Sequence, residues 1–197
     1  MPDKVVFLDR DGVINRDSDG FIKRVAEFVF IPRSLDAIRL LTESGFEVIV
    51  ISNQSGVGRG IISSEGLSAI HRHLIKTVET HGGRIKSIFF CPHRPEDDCD
   101  CRKPKPGLIW KARDTYGISL SKAAMIGDKA IDIDCGRRAG CQKAILVRTG
   151  HGEAAARELA ERGLPVDFLA ADLYEAARYL LSSPLPEGPQ PQGCLQR

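Results

Sequence analysis

The 197-residue chain is poor in aromatic residues, at 6% with a single tryptophan, and poor in net charge, at +2. Basic and acidic residues are interspersed, so there is neither a basic field nor a basic stripe with interleaved aromatics, which argues against nucleic acid as a partner. Apolar runs are short as well. None could span a bilayer, and Met1 to Lys4 leads into the first strand-like run without an apolar signal core, so a cytoplasmic protein with no membrane partner is expected. Six cysteines are too few to staple a chain this long, and three of them crowd into residues 91–101, which points to metal rather than cystine. No internal repeat or domain-separating linker is visible. The 42% hydrophobic and 27% charged content fits one domain over residues 1–181, and the prolines and glycines from Ser182 onward read as a disordered tail, 182–197.

The organising stretch is Val5-Val6-Phe7-Leu8-Asp9-Arg10-Asp11-Gly12-Val13. Its uncharged start reads as a strand buried on both faces, of the kind found in parallel sheets. Strand alternation would put Asp9 and Asp11 on one side and turn Arg10 away, with Gly12 permitting a sharp exit. Two carboxylates that close predict a bound cation or a raised pKa. An aspartate pair beginning an ordinary turn is the bland alternative. Further polar clusters on later strand-like runs weigh against it.

After a non-periodic stretch over 13–32, Ser34 can cap a helix that stops at Gly45. Phe46–Ile51 reads as the second strand, ending in the glycine-rich loop Ser52–Gly60. A helix capped by Ser63 or Ser64 follows, and then a third strand over Ile85–Phe90. A helix from Pro106-Gly107 leads to a fourth strand, Ala123–Ile126, ending in Gly127-Asp128-Lys129. A fifth strand, Lys143–Val147, and a short run Val166–Leu169 complete the series, with helices between. Strands alternating with helices imply right-handed crossovers and an α/β doubly wound parallel sheet, with ligands at the strands' C-terminal ends.

Those ends carry Asp9 and Asp11, then Ser52 and Asn53, then Arg102 and Lys103, then Asp128 with Asp132 one helical turn on. This is a phosphate site in outline. Carboxylates suit a hard Mg²⁺ ion, while Ser52, the loop amides after it and Lys103 would hold phosphate oxygens. The cation and the lysine would leave Asp9 ionised and nucleophilic, and Asp11 could act as an acid. The second constellation is Cys91-x-His93, five residues, then Cys99-x-Cys101. Three thiolates and one imidazole complete a closed tetrahedral shell, which is a structural Zn²⁺ site bracing the loop that ends in Arg102 and Lys103. Reduced cysteines and a surface histidine are the alternative. Cys135, Cys141 and Cys194 read as small buried residues or a tail thiol, and His71, His73, His81 and His151 as helix-surface or loop residues.

Asp9-Arg10-Asp11-Gly12-Val13, Ser52, Lys103 and Gly127-Asp128-Lys129 with Asp132 resemble, in order, the four motifs of the haloacid dehalogenase superfamily of phosphatases. The resemblance covers residues 5 to about 150, with spacings of a member with a minimal cap. It implies that Asp9 forms an aspartyl phosphate and that Asp11 protonates the leaving oxygen and then activates water. By the same resemblance Mg²⁺ is held by Asp9, the Asp11 carbonyl and Asp128, Ser52 and Lys103 steady the phosphoryl group, and Asp132 supports them.

The Cys-Asp-Cys-Arg-Lys-Pro-Lys-Pro-Gly loop and Asn53-Gln54-Ser55-Gly56-Val57-Gly58-Arg59-Gly60 resemble a narrower family, the D-glycero-D-manno-heptose 1,7-bisphosphate 7-phosphatases. These act on a phosphorylated sugar on the route to lipopolysaccharide or nucleotide-activated heptose. The resemblance implies substrate contacts at Asp17, Gly20, Ser52, Asn53, Gln54, Ser55, Arg59, Arg102, Lys103 and Lys129, in a monomer. Histidinol phosphatases share the fold, the motifs and the zinc loop, but more often carry an acidic residue where Ser55 stands. A neutral Ser55 near Arg59 and Arg102 suits a second phosphate instead. Val13 and Ser52 stand where threonine is usual and Gly58 where alanine is, and the zinc loop is short. Two readings from other classes are a non-catalytic, zinc-stabilised binding module and a phosphatase of nucleic-acid ends.

Overall fold

The computed structural model describes residues 4–183 and 185. Strand β1 (Val5–Leu8) is followed by α1 (Ser34–Glu43), β2 (Glu47–Asn53), a single turn α2 (Ser55–Gly58), α3 (Ser64–Thr80) and β3 (Ile85–Cys91). Then come α4 (Gly107–Tyr116), β4 (Ala123–Gly127), α5 (Ala130–Ala139), β5 (Lys143–Val147), α6 (Gly152–Glu161), β6 (Phe168–Ala170) and α7 (Leu173–Ser182). All six strands are parallel, in the order β3-β2-β1-β4-β5-β6.

The run Val5–Leu8 is apolar throughout because the sheet is covered on both sides. Val6 and Leu8 join the core under α1, α3 and α7 with Ile38, Leu74 and Leu180. Val5 and Phe7 face the other way, onto Ile109 of α4 and Cys135 of α5. A smaller cluster joins Ile133 of α5 to Leu159 of α6 across Leu146. The strand order reverses between β1 and β4, which pair in register as Leu8 with Ile126, so the crevice of the doubly wound sheet opens at the C-terminal ends of these two strands.

Several boundaries differ from the sequence reading. Strand β2 runs on through Ser52 and Asn53, which pair with Phe90 and Cys91, and Ser55–Gly58 coils into α2, so the glycine-rich stretch is less loop than its composition suggests. Ser34 does not cap α1. Arg33 holds the N-cap position at φ 65°, and Ser34 is the first helical residue, buried without a hydrogen bond from its hydroxyl. Ser63 does cap α3, accepting from Gly66 N–H. At the C-terminal end α7 extends to Ser182, and Leu185 is buried in the same core. Packing therefore continues past the expected boundary at 182, and the rest of the expected tail, including Cys194, lies outside the described residues. Among those residues no helix is long and apolar enough to cross a membrane.

Candidate active site

Asp9 prolongs β1 by one step, its N–H donating to Ile126 O at 3.0 Å, before the chain turns at Asp11 and Gly12. Asp128 follows the end of β4 and Asp132 lies in the first turn of α5. Carboxylate oxygens of Asp9, Asp128 and Asp132 all lie within 4.8 Å of one another, and all three residues are buried. Lys103 is the cation among them. Its ammonium pairs with Asp9 Oδ1 at 2.8 Å and Asp132 Oδ1 at 2.6 Å, and donates to Ile51 O at 2.9 Å. Burial alone would lower the Lys103 pKa, but Asp132 and Asp9 outweigh it and hold it above its ordinary value.

Three carboxylates against one buried ammonium leave an excess of negative charge. Burial raises the Asp9 pKa to about 6, with Lys103 opposing and the charges of Asp132 and Asp11 adding to it. Burial, and then the charges of Asp9 and Asp132, push Asp128 up to about 8. Asp128 Oδ2 accepts from His151 N–H at 2.9 Å, while Oδ1 is buried with no hydrogen-bond partner. An orphaned carboxylate oxygen in a cluster of excess negative charge fits a divalent cation. Backbone crowds the same carboxylate: a Cβ on Gly12 would lie 2.2 Å from Asp128 Oδ2, and one on Gly150 2.3 Å from it. Asp132 is otherwise engaged, since Oδ1 faces Lys103 and Oδ2 accepts Lys129 N–H at 3.0 Å.

Asp11 differs from the strand-based expectation. Arg10 does not turn away; its guanidinium is 1% exposed and folds back so that Nε and Nη2 donate to Asp11 Oδ1 at 3.2 and 3.0 Å. Alternation fails because the paired strand ends at Leu8 and Asp11 already sits in the turn. Asn15 Nδ2 donates to Asp11 Oδ1 at 2.8 Å, and Gln54 Nε2 donates to Asp11 Oδ2 and to Ser52 Oγ, each at 2.8 Å. Arg10, Asp11, Ser52 and Gln54 line a cavity of about 330 Å³ together with Asp9, Asp17, Asn53, Ser55, Phe21, Arg102, Lys103, Lys129 and His151.

The fold agrees with that of similar proteins. Residues 100–176 match the model of the HAD-hydrolase-like family. A D-glycero-beta-D-manno-heptose-1,7-bisphosphate 7-phosphatase of Pseudomonas aeruginosa is 43% identical over 172 residues, covering 87% of this chain and 96% of that protein. Its Pseudomonas putida counterpart is 43% identical over 179 residues, 90% of this chain and 99% of that one. This chain belongs to the heptose-1,7-bisphosphate 7-phosphatase family. A crystal structure of the D,D-heptose 1,7-bisphosphate phosphatase from B. bronchiseptica, complexed with magnesium and phosphate, superposes with a TM-score of 0.85 at 39% identity, covering 91% of this chain and 99% of that one.

Within this heptose bisphosphate phosphatase fold, two of the anticipated substrate contacts stand apart from the cavity. Arg59 follows α2, which directs it toward Glu96, 3.8 Å away, and Gly20 lines a neighbouring open cleft beyond Asp17 and Ser18. Asn53 lines the cavity, but its amide is engaged in binding the Lys103 backbone. Asp17 pairs with Lys129 at 2.7 Å and meets His151 Nε2 at 3.1 Å. Burial works against Asp17 ionising, but the Lys129 contacts outweigh it and hold its carboxyl below the usual range.

Sequence reasoning passed over three contributors. Arg10 was assigned to the far side, whereas His151 and Thr149 carry no motif. Thr149 Oγ1 donates to Gly12 O at 2.6 Å, and His151 N–H holds Asp128, so the β5–α6 loop buttresses both aspartate-bearing turns. His71, read as a helix-surface residue, sits against Arg10 with Nε2 3.5 Å from Nη1.

Cys91, His93, Cys99 and Cys101 converge, with S···S separations of 3.1–3.5 Å and His93 Nδ1 at 3.2 Å from Cys101 and 3.6 Å from Cys91. A tetrahedral shell with metal–ligand distances of about 2.3 Å for sulfur and 2.1 Å for nitrogen has edges of roughly 3.6–3.8 Å. The donor separations match those edges or fall short of them by up to about 0.7 Å, so a bound ion would spread the cluster slightly. Burial, and then the Cys101 thiol beside it, hold the Cys91 pKa far above the ordinary thiol range, so ionisation of this group calls for a cation. Arg102, at the end of the loop, donates from Nη1 to His93 O at 3.2 Å. Cys135 and Cys141 are buried in the core, as read from sequence.

Proposed function

We propose that the chain hydrolyses the C7 phosphate of D-glycero-D-manno-heptose 1,7-bisphosphate, on the route to lipopolysaccharide heptose, with Asp9 as nucleophile. The observation that carries this reading is the meeting of Asp9, Asp128, Lys103 and Ser52 at one reversal of the sheet, in a chain whose relatives are named for that reaction. Asp9 attacks phosphorus, an Asp9–phosphate bond forms, and the bond from phosphorus to the sugar oxygen breaks. The leaving oxygen takes a proton from Asp11. Water then attacks the phosphorus, its proton passing to Asp11, and Asp9 is released with inorganic phosphate. Lys103 and Ser52 hold the equatorial oxygens, and Arg102 faces the substrate's distal phosphate from the cavity rim. Asp17, Asn53, Gln54, Ser55 and Lys129 shape the remainder.

Asp9, Asp128 and the Asp11 carbonyl would hold Mg²⁺, the ion named with the B. bronchiseptica relative, and the orphaned Asp128 Oδ1 supports that assignment. When bound, the ion supplies charge neutralisation for the phosphoryl oxygens. The Cys91-His93-Cys99-Cys101 cluster would hold Zn²⁺ as scaffolding, because its four donors close the shell and leave no position for a substrate. A reduced thiolate site of this kind fits a cytoplasmic protein, and the reading is of a monomer. The decisive assay is phosphate release from both anomers of the heptose bisphosphate and from histidinol phosphate. Turnover should favour the heptose ester and vanish in Asp9→Asn; an unimpaired Asp9→Asn enzyme rules out the nucleophile, and preference for histidinol phosphate rules out the substrate.

A further inference from the structure

We propose that Arg10 is a positioning residue for catalysis, clamping the Asp11 carboxyl in the orientation from which it serves the leaving oxygen, through a buried relay that runs from His71 and Gln54. The inference rests on the reading of Asp11 as the acid of the reaction.

Arg10 is among the largest fully buried side chains in the protein, although it stands one residue from each of two site aspartates. Burying a guanidinium is unfavourable unless every N–H finds a partner, and a well-packed hydrophobic residue would serve stability alone as well or better. Its partners converge on one target. Nε and Nη2 form the fork that grips Asp11, and Nη2 donates on to Gln54 Oε1 at 3.2 Å. Gln54 in turn donates from Nε2 to Asp11 Oδ2 and to Ser52 Oγ, so one amide ties the acid to the phosphate-binding hydroxyl.

The remaining edge of the guanidinium faces His71 Nε2, 3.5 Å from Nη1. Burial first, and the Arg10 charge second, push the His71 pKa down to about 4 against the pull of Asp11, so the ring is neutral, and with its proton on Nδ1 it presents Nε2 as an acceptor to Nη1. His71 is held by an edge-on contact with Phe90, centroids 5.5 Å apart, and the Phe28 ring lies 5.9 Å from the guanidinium carbon. A planar fork held on all sides fixes direction in a way that a lysine's single point charge cannot. Asn15 completes the clamp by donating to Asp11 Oδ1 at 2.8 Å.

Leaving-group dependence tests this. An alkoxide needs a proton as it departs, whereas p-nitrophenolate does not, and kcat/KM reports only the steps through leaving-group release. For Arg10→Lys, kcat/KM on heptose bisphosphate should fall about 100-fold and that on p-nitrophenyl phosphate by less than about threefold, the scale of a displaced general acid. A burst of p-nitrophenol with phosphate trapped on Asp9 should accompany it, since water activation by Asp11 also suffers. A merely structural role lowers both esters alike and gives no burst, and that result overturns the proposal. If Arg10→Lys fails to fold, Gln54→Met decides by the same criterion. Asp11→Asn is the reference. If it shows the split and the folded clamp variant does not, positioning alone fails; if Asp11→Asn shows no split, the acid role fails and the proposal with it.

Discussion

Asn53 and Lys103, fifty residues apart in the chain, exchange two hydrogen bonds: Asn53 Nδ2 donates to Lys103 O at 3.2 Å, and Lys103 N–H donates to Asn53 Oδ1 at 3.1 Å. The end of β2 thereby grips the loop that carries the Lys103 ammonium, whose Nζ also reaches back to Ile51 O on the same strand. Asn53→Ala removes both bonds without touching the ammonium. The expected cost is roughly 1–3 kcal/mol, and a 1.4 kcal/mol loss of transition-state stabilisation is about tenfold in kcat/KM. A variant with wild-type kcat/KM would show that Asp9, Asp132 and Ile51 O place the ammonium without this pair.

The cysteine loop reaches the same ammonium from the other side, because Arg102 bonds His93 O and Lys103 is the next residue. Metal analysis after purification in metal-free buffer should give about one zinc per chain. Stripping it with a thiolate-competent chelator should expose residues 92–105 to proteolysis and abolish turnover at saturating Mg²⁺, the outcome expected of a loop that the proposed zinc closes. Full activity in zinc-free protein would contradict the scaffolding role.

His71 gives stability a pH dependence of definite sign. Its folded pKa, near 4, lies below the roughly 6.5 of an unfolded histidine, so above about pH 6.5 it contributes no slope. As pH falls from there toward 4 the unfolded chain takes up a proton that the folded chain refuses, and stability drops by up to about 2–3 kcal/mol. Urea unfolding of wild type and His71→Gln at pH 7.5 and 5 should show a steeper fall in wild type. Equal falls would mean that the ring protonates freely in the fold.

How much of this was legible depended on whether partners were close in sequence. Asp9 and Asp128 could be read because each terminates an apolar strand, and a doubly wound sheet brings those ends together at its reversal. The cysteine cluster was legible from its two short spacings. The inward fold of Arg10 was not, because its partners Gln54 and His71 come from distant segments and no periodicity connects them. Arg59 is a substrate contact only by the family resemblance, and in the fold it follows α2 and pairs with Glu96 at 3.8 Å, outside the cavity lining. Thr149 and His151 act largely through a hydroxyl and a main-chain N–H, for which residue type is a weak signal.

Gly150 converts that hidden buttress into a prediction. Its φ is 59°, and a Cβ there would lie 2.3 Å from Asp128 Oδ2 and 2.7 Å from Gly12 Cα, so Gly150→Ala must displace the carboxylate proposed to hold the metal. Gly140 supplies the control. It caps α5 at φ 93° with nothing within 4 Å of a would-be Cβ, so Gly140→Ala carries the left-handed backbone strain, about 1–2 kcal/mol, without the collision. Both variants should lose thermal stability. Only Gly150→Ala should raise the Mg²⁺ concentration for half-maximal activity, by about tenfold or more if the displaced oxygen loses a contact of about 1.4 kcal/mol. If the two variants share the wild-type Mg²⁺ dependence, Asp128 tolerates displacement and the β5–α6 loop has no part in setting the metal position. If both shift alike, the effect belongs to general destabilisation rather than to the contact between Gly150 and Asp128.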